Sequence, residues 1–129
     1  MQFTDARILT SDFGRSLEFY RDVLGLEATL VVPGGIYAEF KHGDATLSLY
    51  KRELMAEVLG HDPGRHEGDD LGAVVLTFAV DSVDSVHEAL VGKGIDFLTE
   101  PHDQTAWQIR VAHFYDPDGN VIEIYHPIR

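Results

Sequence analysis

Hydrophobic and polar positions follow two different periods in the first part of the chain. Residues 3–9 read as a strand, and Ser11-Asp12 then offers an N-cap to a segment whose apolar residues recur at helical spacing. Gly25 suits the left-handed conformation that closes a helix. Three further strand-like runs follow, at 27–32, 36–42 and 45–51, separated by glycine-bearing turns. The pattern predicts a βαβββ module.

The second part of the chain repeats this order. A strand at 73–80 leads to the cap Asp81-Ser82 and to an amphipathic helix that closes at Gly94. From cap aspartate to closing glycine there are 13 residues in both halves, since Asp12 precedes Gly25 by the same spacing. The remaining strands are predicted at 95–99, 106–115 and 121–126. Two equal spacings favour an internal repeat over a generic alternation of strands and helices.

The repeat sets the expected organisation of the chain. We predict one α+β domain over residues 1–129, made of a first βαβββ module at 1–51 and a second at 73–129. The polar, glycine-bearing residues 52–72 are predicted to be the linker, with one helical turn around 53–59.

Two motifs resemble those of a known superfamily. Residues 16–25, SLEFYRDVLG, are similar to the S-x-x-F-Y-x-x-x-L-G helix of the vicinal-oxygen-chelate superfamily, and residues 116–124, DPDGNVIEI, to its D-P-D-G-N-x-I-E ending. This superfamily includes glyoxalase I, the extradiol dioxygenases and the bleomycin-resistance proteins. The resemblance covers nearly the whole chain and implies that each module bends its strands into a half-cup, helices outside, with two half-cups closing over a pocket. It does not by itself imply a reaction.

Charge and cysteine content exclude several function classes. Lys and Arg total 10 against 22 Asp and Glu, a formal charge of −12, which repels nucleic-acid phosphates and anionic membrane surfaces. There is no cysteine, and therefore no disulfide, thiolate metal site or cysteine nucleophile. With no signal-like start and no apolar run long enough to span a bilayer, we expect a cytoplasmic protein that binds neither nucleic acid nor membranes.

Alternation along the strands predicts which side chains line the cup. If Ile122 and Ile124 cover the helices, Glu123 faces inward, and symmetric pairing about the turn at 116–120 places His113 opposite it. The candidate ligand-binding residues selected in this way are Tyr37, Glu39, Ser48, Tyr50, Trp107, Ile109, His113, Glu123 and Tyr125. On the first strand of each module the inward sets are predicted to be Asp5, Arg7 and Leu9, and Val74, Leu76 and Phe78.

The metal positions implied by the resemblance are mostly unsuited to a metal. Metal-dependent members carry a His or Glu ligand on the first and last strand of each module, and the matching positions here are Asp5, Ser48, Val74 or Val75, and Glu123. Only Glu123 matches cleanly, because valine cannot donate and serine rarely does. We therefore expect neither a metal nor another cofactor. A non-standard metal site, if present, would use Asp5, His113 and Glu123.

These observations favour a binding protein over an enzyme. The leading hypothesis is a homodimeric protein of the bleomycin-resistance type, which confers antibiotic resistance by sequestering an aromatic or polycyclic molecule. The alternative is a metal-dependent lyase, isomerase or dioxygenase of the same superfamily, and a third option is a dimerising regulatory domain. For His113 and Glu123 two roles stay open, ligand binding and a buried pair that stabilises the sheet. The identity of the ligand, the host process, and whether the pocket lies within one chain or between two do not follow from the sequence.

Overall fold

The computed structural model describes residues 3–59 and 74–128, and the chain divides into two compact units. The first unit is Met1–Gly68 and the second is Asp69–Arg129. Within the described residues the fold is α+β, with two four-stranded sheets and three α-helices. None of these helices has the length and hydropathy that crossing a membrane requires.

The first unit has the predicted βαβββ order. Its elements are β1 (Ala6–Thr10), α1 (Phe13–Glu18), β2 (Leu30–Val32), β3 (Tyr37–His42), β4 (Ala45–Lys51) and α2 (Arg52–Leu59). Asp12 caps α1 by accepting the Arg15 N–H at 3.1 Å, as its side chain predicts. The helix continues as a π-helical turn at Phe19–Val23 and closes at Gly25, whose φ of 78° is the left-handed conformation expected there.

The sheet of the first unit runs β1-β4-β3-β2, with β1 parallel to β4 and the other pairs antiparallel. One face of this sheet packs against α1. Tyr20 and Phe40, both buried, bring their ring centroids to 6.2 Å, and Ala38 and Leu49 are fully buried on the same face. Because side chains alternate along a strand, the residues between them belong to the other face of the sheet, opposite α1.

The second unit repeats the arrangement. Its elements are β5 (Val75–Ala79), α3 (Val83–Gly92), β6 (Phe97–Gln104), β7 (Ile109–Tyr115) and β8 (Val121–Pro127), and its sheet runs β5-β8-β7-β6. Ser82 caps α3 by accepting the Ser85 N–H at 3.2 Å. Gly94, with φ of 90°, follows the end of that helix.

The helix-covered face of the second sheet is apolar, as predicted for β8. Ala112, Phe114, Ile122 and Ile124 are all buried, as are Val83 and Leu90 of α3. Phe97 stacks between Phe114, at 5.0 Å between ring centroids, and His87 of α3, at 4.3 Å. This core fixes the phase of β7 and β8 and leaves His113, Glu123 and Tyr125 on the helix-free face.

The predicted phase of β5 is wrong by one residue. Parallel pairing sets Val75, Thr77 and Ala79 beside Val121, Glu123 and Tyr125. Thr77, and not Leu76, therefore shares the face of Glu123, and the predicted inward set of Val74, Leu76 and Phe78 is incorrect. The run from 73 to 80 is apolar at nearly every position, so no alternation marks its phase.

Candidate functional site

The face of the first sheet opposite α1 carries the predicted residues of the first unit. Arg7 of β1 pairs with Ser48 of β4, and Ser48 pairs with Glu39 of β3. These three side chains are therefore neighbours in one row across the sheet. One step along the strands, Leu9 pairs with Tyr50 and Tyr50 with Tyr37. Tyr37, Glu39, Ser48 and Tyr50, all predicted to bind ligand, thus share one face, together with Arg7.

The carboxylates of this face are held by hydroxyl groups. The buried Ser48 donates its Oγ hydrogen to Asp5 at 2.9 Å, and Tyr37 donates its phenol hydrogen to Glu39 at 2.5 Å. Lys41 Nζ lies 3.9 Å from the second oxygen of Glu39. The hydrogen bond to Glu39, aided by burial, raises the pKa of Tyr37 above its usual value, because ionising the phenol would place two negative charges together. Tyr37 is therefore a neutral donor at physiological pH.

Arg7 lies over two aromatic rings of the same face. Its guanidinium carbon is 5.5 Å from the ring centroid of Tyr50 and 5.9 Å from that of Tyr37, both within cation–π distance. The two rings meet edge to face, with centroids 6.1 Å apart. We call the pair of Tyr37 and Tyr50 the aromatic corner, and the guanidinium of Arg7 lies over it.

The helix-free face of the second sheet carries a chain of three side chains. Pairing of β7 with β8 sets His113 opposite Glu123, which confirms the register predicted from the turn at 116–120. His113 Nε2 is 2.9 Å from Glu123 Oε1, and His113 Nδ1 is 2.8 Å from Thr99 Oγ1. Thr99 Oγ1 also accepts the backbone N–H of His113 at 3.0 Å. Both ring nitrogens of His113 are thus engaged.

The partners of His113 select one neutral tautomer. A carboxylate oxygen can only accept, so Nε2 carries the hydrogen that bonds Glu123, and Nδ1 accepts the hydroxyl hydrogen of Thr99. The imidazole of His102 lies 6.2 Å from that of His113, and its Nδ1 donates to the Glu100 carbonyl oxygen at 2.8 Å. The result is a hydroxyl–imidazole–carboxylate chain on the sheet face, and among residues 3–59 and 74–128 no hydrogen bond engages Glu123 Oε2.

Trp107 does not lie on the strand where it was predicted. It belongs to a 3₁₀ turn at Thr105–Trp107, and β7 begins at Ile109. Gln108 between them has φ of 57°, a left-handed conformation that interrupts the alternation of side chains along the strand. The alternation seen in β7 therefore does not predict where the Trp107 side chain points. Its indole is 72% exposed. Ile109 and Tyr125 keep their predicted strands and are half-buried.

Two residues of this site were missed from the sequence. Thr99 was assigned to a strand but not to the site, because irregular pairing of β6 on both sides of it gives no sequence signal. Thr77 was missed because of the phase error in β5. The remaining candidates of the second unit, His113, Glu123 and Tyr125, share one face as predicted.

The positions that would hold a metal do not fit one. The Ser48 hydroxyl donates its hydrogen to Asp5. Val75 pairs with Val121 across β5 and β8 and has no side-chain atom that can bind a metal. Across residues 3–59 and 74–128, no group of three or more His, Asp or Glu side chains is placed to hold a metal ion.

Comparison with known proteins identifies the family. The model of the Glyoxalase/Bleomycin resistance protein/Dioxygenase superfamily matches residues 2–124. The chain belongs to this superfamily, in agreement with the resemblance of its two motifs and with its fold.

Individual relatives agree with this assignment. An uncharacterized protein of Bacillus subtilis (strain 168), YraH, is 41% identical over 125 residues, which cover 97% of this chain and 98% of the relative. A crystal structure of a glyoxalase/bleomycin resistance protein/dioxygenase from Nocardioides is 28% identical, with a TM-score of 0.79 over 100% of this chain and 85% of that one. A lactoylglutathione lyase from Agrobacterium tumefaciens, 24% identical with a TM-score of 0.72 over 96% of this chain and 92% of that one, shares the fold.

Proposed function

We propose that this protein binds an aromatic or polycyclic small molecule without covalent chemistry, as a sequestering protein of the antibiotic-resistance type. The observation that carries the proposal is the aromatic corner of Tyr37 and Tyr50, whose half-buried rings lie on the sheet face opposite α1. Aromatic rings in this setting bind planar molecules by stacking and by burying apolar area. The neighbouring polar groups of Glu39 and Ser48 then orient the ligand.

The sheet face of the second unit offers polar groups of its own for ligand recognition. Glu123 accepts from His113 through Oε1, and in the described part of the chain no residue bonds Oε2, which suits a donor on the ligand. Tyr125, on the same face, and the exposed Trp107 are further candidates for stacking. A binding role is favoured over a metal-dependent lyase, isomerase or dioxygenase because Ser48 and Val75 stand where metal donors would be needed.

The experiment is a binding screen with a matched pair of variants. Naphthalene, anthracene and acridine derivatives are titrated against the protein, with thermal shift and Trp107 fluorescence as readouts. For a compound that binds, Tyr50→Ala should weaken affinity by about 1–3 kcal/mol because it removes one wall of the corner. Val91→Ala, an exposed apolar residue of α3 on the helix side of the second sheet, is the control and should leave affinity unchanged.

Two results would contradict the proposal. One is that no member of the panel raises the melting temperature or changes the fluorescence. The other is that stoichiometric metal copurifies, is lost in Glu123→Ala, and is needed for turnover of a substrate, which would establish the enzyme alternative.

A further inference from the structure

Arg7 differs from other arginines of this acidic chain in what surrounds its charge. Arg110 contacts Asp84 at 2.7 Å and Asp103 at 3.0 Å, and Arg21 contacts Asp22 at 2.9 Å. The guanidinium of Arg7 instead lies over the rings of Tyr37 and Tyr50. Among the described residues no carboxylate is within ion-pair distance of it. In a chain with 22 acidic and 10 basic residues, this is a cation kept apart from carboxylates.

The acidic residues nearest along the sheet are engaged elsewhere. Asp5, two positions before Arg7 on the same side of the chain, accepts from Ser48. Glu39, on the strand beyond Ser48, accepts from Tyr37 and faces Lys41. These contacts engage both carboxylates apart from the guanidinium, so an anion that approaches Arg7 displaces no salt bridge formed within residues 3–59 and 74–128.

Arg7 contacts the ring faces, and no hydrogen bond to another described residue uses its donors. A guanidinium presents five N–H donors at the edge of its plane, and a cation–π contact occupies none of them. The fork of donors matches a carboxylate, which accepts two parallel hydrogen bonds from it.

We propose that Arg7 is an anion-binding subsite, and that the ligand of this protein is an aromatic carboxylate whose ring contacts Tyr37 and Tyr50. This inference rests on the proposed function and names its ligand class. The ligand charge inferred at this position has the same sign as the net charge of −12 of the chain, so the cation of Arg7 is what admits it.

The test compares isosteric probes that differ in charge. 2-Naphthoate and 2-naphthamide have the same ring and nearly the same shape, and only the first is an anion. The corresponding anthracene pair extends the test to a larger ring. Affinities are measured by calorimetry for the wild type, Arg7→Gln, Arg7→Lys and the control Arg15→Gln, an exposed arginine of α1.

Wild type should bind each carboxylate about 10- to 100-fold more tightly than its amide, as charge-assisted hydrogen bonds to a guanidinium predict. Arg7→Gln should abolish this preference while the amides bind as before, and Arg7→Lys should keep part of it, since lysine retains the charge without the fork. The preference should fall as salt concentration rises, and Arg15→Gln should resemble wild type.

Failure of the inference differs from failure of the proposed function. Equal affinity of wild type for carboxylate and amide, or an equal loss of both in Arg7→Gln, overturns the anion subsite and leaves aromatic binding standing. Absence of binding for all four probes in the wild type overturns both.

Discussion

Replacing Thr99 by valine should destabilise the second unit through His113. The hydroxyl of Thr99 accepts the backbone N–H of His113 at 3.0 Å and donates to its Nδ1 at 2.8 Å. Valine has nearly the same volume, so packing is kept while both hydrogen bonds are lost. A part-buried donor left without a partner costs about 1–3 kcal/mol. For a chain of this size, a loss near the middle of that range corresponds to roughly 5–10 °C in melting temperature.

The assay is urea unfolding followed by circular dichroism, with Thr77→Val as the matched control. Thr77 is an exposed threonine of β5 on the same sheet, and its replacement should change the free energy of unfolding by less than about 0.5 kcal/mol. If Thr99→Val unfolds at the same urea concentration as wild type, or if Thr77→Val loses as much, the role assigned to the Thr99 hydroxyl is wrong.

Three further outcomes are expected. The phenol of Tyr37 should titrate above its usual pKa of about 10, and Glu39→Gln should bring that pKa down in an ultraviolet titration, with Tyr37→Phe identifying the signal. Since the raised pKa favours the protonated phenol in the folded state, its contribution to stability is present below the ordinary pKa and is lost as pH rises through the folded-state value; an unchanged titration in Glu39→Gln would refute this. Protein purified without added metal should contain no stoichiometric transition metal by elemental analysis, and metal that is lost in His113→Ala would contradict this expectation. Sedimentation should give a homodimer at micromolar concentration, because a two-fold partner would cover exposed apolar residues such as Val31 and Trp107, and a species of 14.4 kDa would show the expectation to be wrong.

Sequence reasoning predicted most of the fold because its signals are local. Cap residues and closing glycines fixed both helices of the repeat, and the structure places Asp12, Ser82, Gly25 and Gly94 in those roles. The turn at 116–120 predicted the β7–β8 register because a short hairpin leaves few alternatives. At these positions the hydrophobic pattern and the turn residues indicate the same structure, and the predicted helix ends and β7–β8 register are confirmed.

Prediction failed where the pattern carried no phase or where the backbone departed from a regular strand. β5 is nearly uniform in hydrophobicity, so its side chains could not be assigned to a face. The segment before β7 contains a 3₁₀ turn and the left-handed residue Gln108. Neither residue type nor position signals a turn there, because the segment contains no glycine or proline. Trp107 was therefore predicted on the strand. The irregular pairing of β6 depends on contacts with β7, which are remote in sequence, and it hid the role of Thr99.

The repeat also explains how one fold presents two kinds of chemistry. Equivalent strand positions are occupied by Arg7 and Thr77, by Glu39 and His113, and by Ser48 and Glu123, as the strand registers require. The strand registers are equivalent at each pair, and the side chains differ. The first unit joins a cation to two phenols, and the second joins a carboxylate to an imidazole. Arg7→Thr gives the first unit the residue type that the second unit has at the equivalent position, Thr77. This substitution should remove the proposed anion selectivity of the first unit. It should leave the His113–Glu123 pair undisturbed, because the two sets of contacts share no atom.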